Sequence, residues 1–276
     1  MTIAAFRKEI WAHYRRAGRG DMPWRRTNDP YRIFVSEVML QQTQVARVME
    51  YYPRFIRRFP DFRALARAGS GDVLAAWQGL GYNRRAIYLR RAAEIVMREF
   101  GGRLPRGRAA LESLPGIGPG TSGSLMAFAF NEPTVFIETN IRRVFIHFFF
   151  PGRKKVTDIE LERYIERSLD TARPREWYWA LMDYGAAMAS GSRTAQRGNP
   201  NRRSAHYKKQ EPFTGSDREA RGKILRWTLA AKKNTMSVRT LSRALALPRQ
   251  RFESALHALE KEGFIIRKGD SLYIKQ

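Results

Sequence analysis

Along the first two thirds of the chain, apolar residues recur at intervals of three, four and seven. Between Tyr31 and Phe59 they fall at Ile33, Phe34, Val38, Val45, Val48, Tyr52, Phe55 and Phe59. That is the stripe of an amphipathic helix, or of two in succession. Asp29-Pro30, just ahead, supplies a cap and a proline for the first helical position. The same spacing predicts helices over about 62–68, 71–78, 84–100, 108–114, 119–131, 139–149, 158–170 and 175–189. Strand patterns are nearly absent before residue 190, so the expected fold class is mainly α.

Beyond this helical region the pattern changes twice. Residues 190–216 carry six Lys or Arg, no acid before Glu211 and little apolar content, which reads as a linker or an extended basic arm. Residues 217–276 regain helical spacing over about 218–232, 237–246 and 249–262. Two β-prone runs, Phe264–Lys268 and Ser271–Lys275, then flank Gly269-Asp270. That arrangement predicts a hairpin. Three helices and a hairpin suggest a winged helix-turn-helix. Such a module contacts DNA through its helix at 249–262 and its wing, or serves as a packing or dimerisation unit. The expected domains are 1–189, a linker at 190–216, and 217–276.

Composition narrows the possibilities. Lys and Arg total 51 against 26 acids, a formal net charge of +25. Nucleic acid is the usual polyanion that relieves such self-repulsion. A hydrophobic fraction of 43% with 16 Phe, 11 Tyr and 6 Trp supports a packed core. No apolar run reaches membrane-span length, and charges interrupt the first twenty residues. The expectation is a cytoplasmic monomer, nucleoid-associated if its source is bacterial or archaeal, with no membrane partner. The absence of cysteine excludes disulfides, thiol nucleophiles and thiolate-bound metal. The four histidines, His13, His147, His206 and His257, lack ligand spacing, so no metal site is expected.

The most specific short motif is Leu114-Pro115-Gly116-Ile117-Gly118-Pro119-Gly120-Thr121, between two predicted helices over about 108–131. Glycines allow a tight turn and let backbone N–H groups approach an anion. Pro119 suits the start of the second helix, whose positive end favours phosphate. A loop of this kind grips the DNA backbone without reading sequence.

Four blocks carry a family resemblance: SEVMLQQTQV (Ser36–Val45), WQGLGYNRRA (Trp77–Ala86), LESLPGIGPGTSG (Leu111–Gly123) and ETNIRRV (Glu138–Val144). Their order and spacing resemble the adenine DNA glycosylases of the endonuclease III, or helix-hairpin-helix, superfamily. The similarity runs from about Pro23 to Ala189. It implies two helical subdomains and a duplex partner whose mismatched or damaged base is rotated into a pocket. It implies Glu37 as the catalytic acid, with Glu138 facing the sugar and Asn140 supporting it. Gln41, Gln42 and Tyr82 match positions that wedge into the duplex or meet the opposite base. Gln41-Gln42-Thr43 favours the adenine branch. Leu114, Gly116, Gly118, Gly120 and Thr121 match the DNA-gripping hairpin, where a monovalent cation is also implied. Trp24, Arg25 and Arg26 match the pocket rim. In the basic arm, Arg193, Arg197, Arg202, Arg203, Lys208 and Lys209 suit phosphates or a solvated linker.

Breaking an N-glycosidic bond requires protonation of the leaving base and stabilisation of positive charge on the sugar. Glu37 lies in sequence among Phe34, Val35, Val38 and Met39, surroundings that raise a carboxyl pKa. Glu138 is a departure, because the resemblance predicts aspartate there; it also suits a helix N-terminus. Bifunctional relatives use a lysine at the position of Gly120, and no lysine occurs from Glu9 to Arg153. A monofunctional hydrolase is therefore expected. Two further departures are the missing iron–sulfur cysteines after residue 186 and a winged helix where relatives have a Nudix-like domain. Two alternatives to adenine excision stand: a glycosylase for mismatched thymine or uracil or another damaged base, and a non-catalytic DNA-binding regulator.

Overall fold

The computed structural model describes residues 1–190, 198–209, 212–231 and 235–275. Arg193 and Arg197 of the basic arm lie outside the described residues. The helices predicted from apolar spacing are present, with ends shifted by one or two residues. The run from Tyr31 to Phe59 forms two helices, α2 (Pro30–Leu40) and α3 (Val45–Arg58). The Asp29 side chain accepts from the Tyr31 N–H at 2.9 Å, as a cap ahead of Pro30 should. One helix was not anticipated. α1 (Ile3–Ala17) is capped by Thr2 and buries Phe6, Ile10 and His13 along one stripe.

The chain divides into two compact units. The first comprises residues 1–37, 105–113 and 117–209. Its helices are α1, the first part of α2, α7 (Arg108–Glu112), α8 (Pro119–Phe130), α9 (Thr139–Phe149), α10 (Asp158–Ser168) and α11 (Pro174–Ser190). α11 packs against α1, α8 and α9. Phe6, Phe145 and Trp177 are fully buried at the centre, with Phe6 edge-on to Trp177 at 6.0 Å. After α11 the chain returns to this unit through a 3-10 turn, Pro200–Arg203. Asn201 there donates from Nδ2 to the Thr139 carbonyl at 3.0 Å. Backbone bonds from Val156 to Arg203 and from Ala205 to Val156, both 2.8 Å, tie the segment down.

The second unit comprises residues 38–104, 114–116 and the described residues from 212 onward. α3, α4 (Phe62–Arg67), α5 (Ser70–Trp77) and α6 (Arg84–Glu99) form one part. The C-terminal part runs helix, strand, helix, helix, strand, strand: α12 (Asp217–Ala230), β1 (Thr235–Ser237), α13 (Val238–Leu245), α14 (Arg249–Lys261), β2 (Ile265–Lys268) and β3 (Ser271–Ile274). This is the winged-helix order, with the hairpin β2–β3 as its wing. β1, too short to announce itself by alternation, pairs antiparallel with β3 and gives the sheet order β1-β3-β2. Ile224, Leu225, Phe252, Leu256, Leu259 and Leu272 form the core of this part, and α12 also packs on α5.

Candidate active site

Glu37 and Glu138 both belong to the first unit. Glu37 sits on α2, where Phe34, Val35, Ser36, Val38 and Met39 are all buried. Enclosure makes ionisation costly, and the Glu138 charge adds to that cost. The Ser124 hydroxyl from α8 and the Arg25 guanidinium pull the other way, but burial prevails and raises the Glu37 pKa to about 7. Glu37 therefore holds its proton at pH values where an exposed glutamate has lost it.

Glu138 is the N-cap of α9. Its Oε1 accepts from the N–H groups of Asn140 and Ile141, both at 2.7 Å. These two bonds fix the carboxylate in place. Burial raises its pKa, and the two N–H groups with Arg143 and Arg142 partly offset the rise. The two readings of Glu138, helix-end acid and site carboxylate, are thus compatible.

Behind Glu138 runs a line of positioning contacts. Asn140 donates from Nδ2 to Glu138 Oε2 at 3.3 Å and accepts at Oδ1 from Arg143 at 2.7 Å. The same Arg143 nitrogen donates to the Gly185 carbonyl of α11 at 2.7 Å. A side chain at residue 185 has no room, because a Cβ there meets the Asn140 carbonyl oxygen and Cβ at 2.6 Å. A second network anchors Arg25. Asp183 of α11 accepts both ends of the Arg25 guanidinium, at 2.8 and 2.9 Å, together with the Arg19 side chain at 2.7 Å and backbone N–H at 2.9 Å. These cations hold the Asp183 carboxyl below its ordinary pKa even though burial pushes it up. Arg25 lies near enough to Glu37 to oppose its pKa rise. Of the other expected rim residues, Trp24 is buried, and exposed Arg26 donates to the Gly20 carbonyl at 3.0 Å. Sequence reasoning did not single out Asp183, Ser124, Arg143 or Gly185, whose partners lie far along the chain.

In the hairpin, Gly116 adopts φ 81°, which only glycine takes without strain. Gly118 is extended at φ −102° and caps α8 without a side-chain hydrogen bond. Its exposed surface, with Pro119 and Gly120, leaves the positive end of α8 uncovered by side chains. Thr121 is half-buried one residue on, whereas Leu114 points inward and holds the turn. The Gly116 carbonyl accepts the Gln41 amide at 3.3 Å.

Gln41, Gln42, Thr43 and Tyr82 lie together in the second unit. Gln42 and Tyr82 take φ values of 54° and 47°, a left-handed conformation that costs non-glycine residues energy. Arg85 holds both loops. Its guanidinium donates to the Val38 and Met39 carbonyls at 2.8 Å, to Thr43 Oγ1 at 2.8 Å and to the Gly81 carbonyl at 3.0 Å. Burial lowers its pKa to about 10, so it stays charged at neutral pH.

Of the expected arm residues, Arg202 is exposed. The Arg203 guanidinium is spent inside the protein on the carbonyls of Phe150, Pro151 and Ile146 at the end of α9, where helix carbonyls favour a cation. This closure occupies the segment after α11, and the chain has no cysteine to hold an iron–sulfur cluster there. Among the described residues no group of His, Asp and Glu is placed to hold a metal ion, and no helix is long and apolar enough to cross a membrane.

Residues 35–170 match the HhH-GPD superfamily of base excision DNA repair proteins. The described structure is similar to that of a thermostable thymine-DNA glycosylase, with a TM-score of 0.61 and 26% identity over 71% of this chain and 92% of that one. It also resembles endonuclease III in a non-covalent DNA complex, with a TM-score of 0.56 and 17% identity. The helical units, the glycine hairpin and the enclosed carboxylate pair define the class as a helix-hairpin-helix base-excision protein. Adenine DNA glycosylase of Mycobacterium tuberculosis (strain ATCC 25618 / H37Rv) is 34% identical over 233 residues, covering 78% of this chain and 76% of that protein. The chain belongs to the adenine DNA glycosylase family. It spans 53% of the Buchnera aphidicola (subsp. Baizongia pistaciae) relative and 39% of the mouse relative, each 34% identical.

Proposed function

We propose that this protein is a monofunctional glycosylase that releases adenine from mispairs with guanine or 8-oxoguanine in duplex DNA. The observation that carries the reading is Glu37, protonated up to about pH 7 and close enough to Glu138 to feel its charge. A neutral carboxylic acid beside a fixed carboxylate is the pairing that glycosidic hydrolysis uses.

In this mechanism Glu37 gives its proton to a ring nitrogen of the extruded adenine. The bond from sugar C1′ to the base nitrogen breaks and its electron pair leaves with the base. Glu138, held by two N–H groups and Asn140, faces the positive charge that develops on the sugar. Water then bonds to C1′ and gives a proton to the Glu37 carboxylate, which regenerates the acid and leaves an abasic site. No amine takes part. Gly120 has no side chain, and the nearest lysines in sequence are Lys8 and Lys154, which supports hydrolysis without lyase chemistry. The open end of α8 and the exposed hairpin support a phosphate grip.

The test is a panel of duplexes carrying adenine opposite guanine, adenine opposite 8-oxoguanine, and thymine or uracil opposite guanine. Alkali then converts abasic sites to strand breaks. The adenine duplexes are expected to be cleaved only after alkali, and Glu37→Gln to abolish release. Release from the thymine or uracil duplexes alone reassigns the substrate, and tight binding with no release from any duplex removes the enzymatic reading.

A further inference from the structure

The winged helix lies beyond the family match at residues 35–170, and base hydrolysis gives it no part. It is seated on the rest of the second unit through α12 and the end of α14. α12 packs on α5, and Arg218 in its first turn donates to the Tyr82 hydroxyl at 2.5 Å. Glu262, just past α14, accepts Arg84 at 2.6 Å. Another surface, built from α13, α14 and the wing, is exposed at Arg243, Arg249, Gln250, Ser254, His257 and Lys268.

The charges on this surface are sorted by use. Its two exposed acids both hold the wing in place. Glu253 of α14 accepts Arg267 of β2 at 3.2 Å. Asp270, in the turn of the wing, accepts the Ser237 hydroxyl at 2.7 Å and the Arg239 N–H at 3.2 Å, where α13 begins. Exposed pairs of this kind add little stability, but here they fix the wing against both helices and use up the negative charge. Arg243, Arg249 and Lys268 enter no ion pair among the described residues. The first turn of α14 holds Arg249 and Arg251 and no acid. Converging cations repel one another unless a polyanion faces them.

The polarity of the helices narrows the partner. Among the described residues neither α13 nor α14 exposes a large apolar side chain, so the surface lacks the apolar centre of an interface between copies. Gln250, Ser254 and His257 instead offer hydrogen bonds along the outer side of α14. The major groove of B-form DNA, about 12 Å wide, admits one helix with its polar side toward the base edges. We propose that this surface docks on duplex DNA flanking the base to be excised, with α14 in the major groove and Arg243, Arg249 and Lys268 on the phosphates at its borders. The inference goes beyond the proposed function, since it requires a duplex partner and no particular excised base.

The test is hydroxyl-radical footprinting of the full chain on a duplex about three helical turns long, with a tetrahydrofuran abasic analogue opposite guanine at its centre. The wild type is expected to protect the backbone around the analogue and a further stretch to one side. A triple variant, Arg243→Ala with Arg249→Ala and Lys268→Ala, is expected to lose the flanking stretch and keep the protection at the analogue. Its log–log dependence of affinity on salt is expected to be shallower by roughly three, close to one for each phosphate lost. Ser254→Glu, a single exposed change that sets a carboxylate against the groove, is expected to lose the same stretch with its melting temperature unchanged. It serves as the second variant should the triple one be unstable. A wild-type footprint confined to the analogue overturns the proposal. So does a flanking stretch that survives in both variants, or a triple variant weakened equally at every protected position, which describes diffuse charge. Self-association of the wild type in sedimentation that Ser254→Glu abolishes gives the surface to a second copy of the chain and also overturns it. No arm of the test requires base release, so its failure and that of the hydrolytic reading are separate.

Discussion

Burial of Glu37 has two consequences of opposite sign for the protein. The pKa is raised from 4.5 to about 7 on folding, so the folded state resists ionisation that the unfolded chain accepts. Its contribution to stability is intact below pH 4.5 and is lost progressively as the pH rises to about 7. Glu37→Gln cannot ionise and escapes that loss. The variant is expected to be more stable than the wild type at pH 8, by up to about 3 kcal/mol at 1.36 kcal/mol per pKa unit, and so to melt at a higher temperature there, with the difference vanishing at pH 4.5. Thermal melts at the two pH values check this. A gain at both, or at neither, contradicts the burial argument. The same ionisation sets the activity profile. Single-turnover release of adenine is expected to fall on the alkaline side with an apparent pKa around 7, a value that belongs to Glu37 and Glu138 as an interacting pair. The SEVMLQQTQV block made Glu37 legible, and its apolar neighbours already pointed to a raised pKa. Ser124 and Arg25, which lower it, were not legible as its partners, because such contacts join residues 87 and 12 positions away in sequence.

At the scale of elements, the spacing of α9 and α11 depends on a single missing side chain. The Gly185 backbone approaches Asn140 so closely that an added Cβ lies 2.6 Å from its carbonyl oxygen. Gly185→Ala must separate the helices or turn Asn140, which orients the Glu138 carboxylate. Displacements near 1 Å cost on the order of 100-fold in rate. The variant is expected to lose that much in single-turnover release while binding abasic duplex nearly as tightly as the wild type. Equal losses of binding and rate would point to general unfolding instead. Most helices were legible because their apolar spacing is the cause of their burial. α1 carried the same signal in Phe6, Ile10 and His13, but only three apolar-face positions stand among its dense charges. β1 had no local signal. Its three residues are a strand only because β3 pairs with them.

For the molecule as a whole, the net charge of +25 makes association with DNA a counterion-release process. Affinity for an unmodified duplex is expected to drop on the order of 1000-fold between 50 and 200 mM salt, the behaviour of a protein with at least about six phosphate contacts. Titrations across that range check it, and a flat response contradicts a phosphate grip. The C-terminal helices and wing were legible as a module, but their grouping with residues 38–104 was not. No periodicity encodes which neighbour a folded module chooses.

By itself the sequence determined most of the helices, the hairpin turn and the absence of thiol ligands, and it pointed to Glu37 as the candidate acid, because each depends on residues adjacent in the chain or on composition. Only the tertiary structure decided that Arg203 caps α9, that Asp183 clamps Arg25, that Glu138 is fixed by two N–H groups, and that Arg218 meets Tyr82. Each of these unites groups far apart in sequence or depends on a side chain's final direction. The strength of such polar contacts depends on distance and burial, which exist only once the chain has folded.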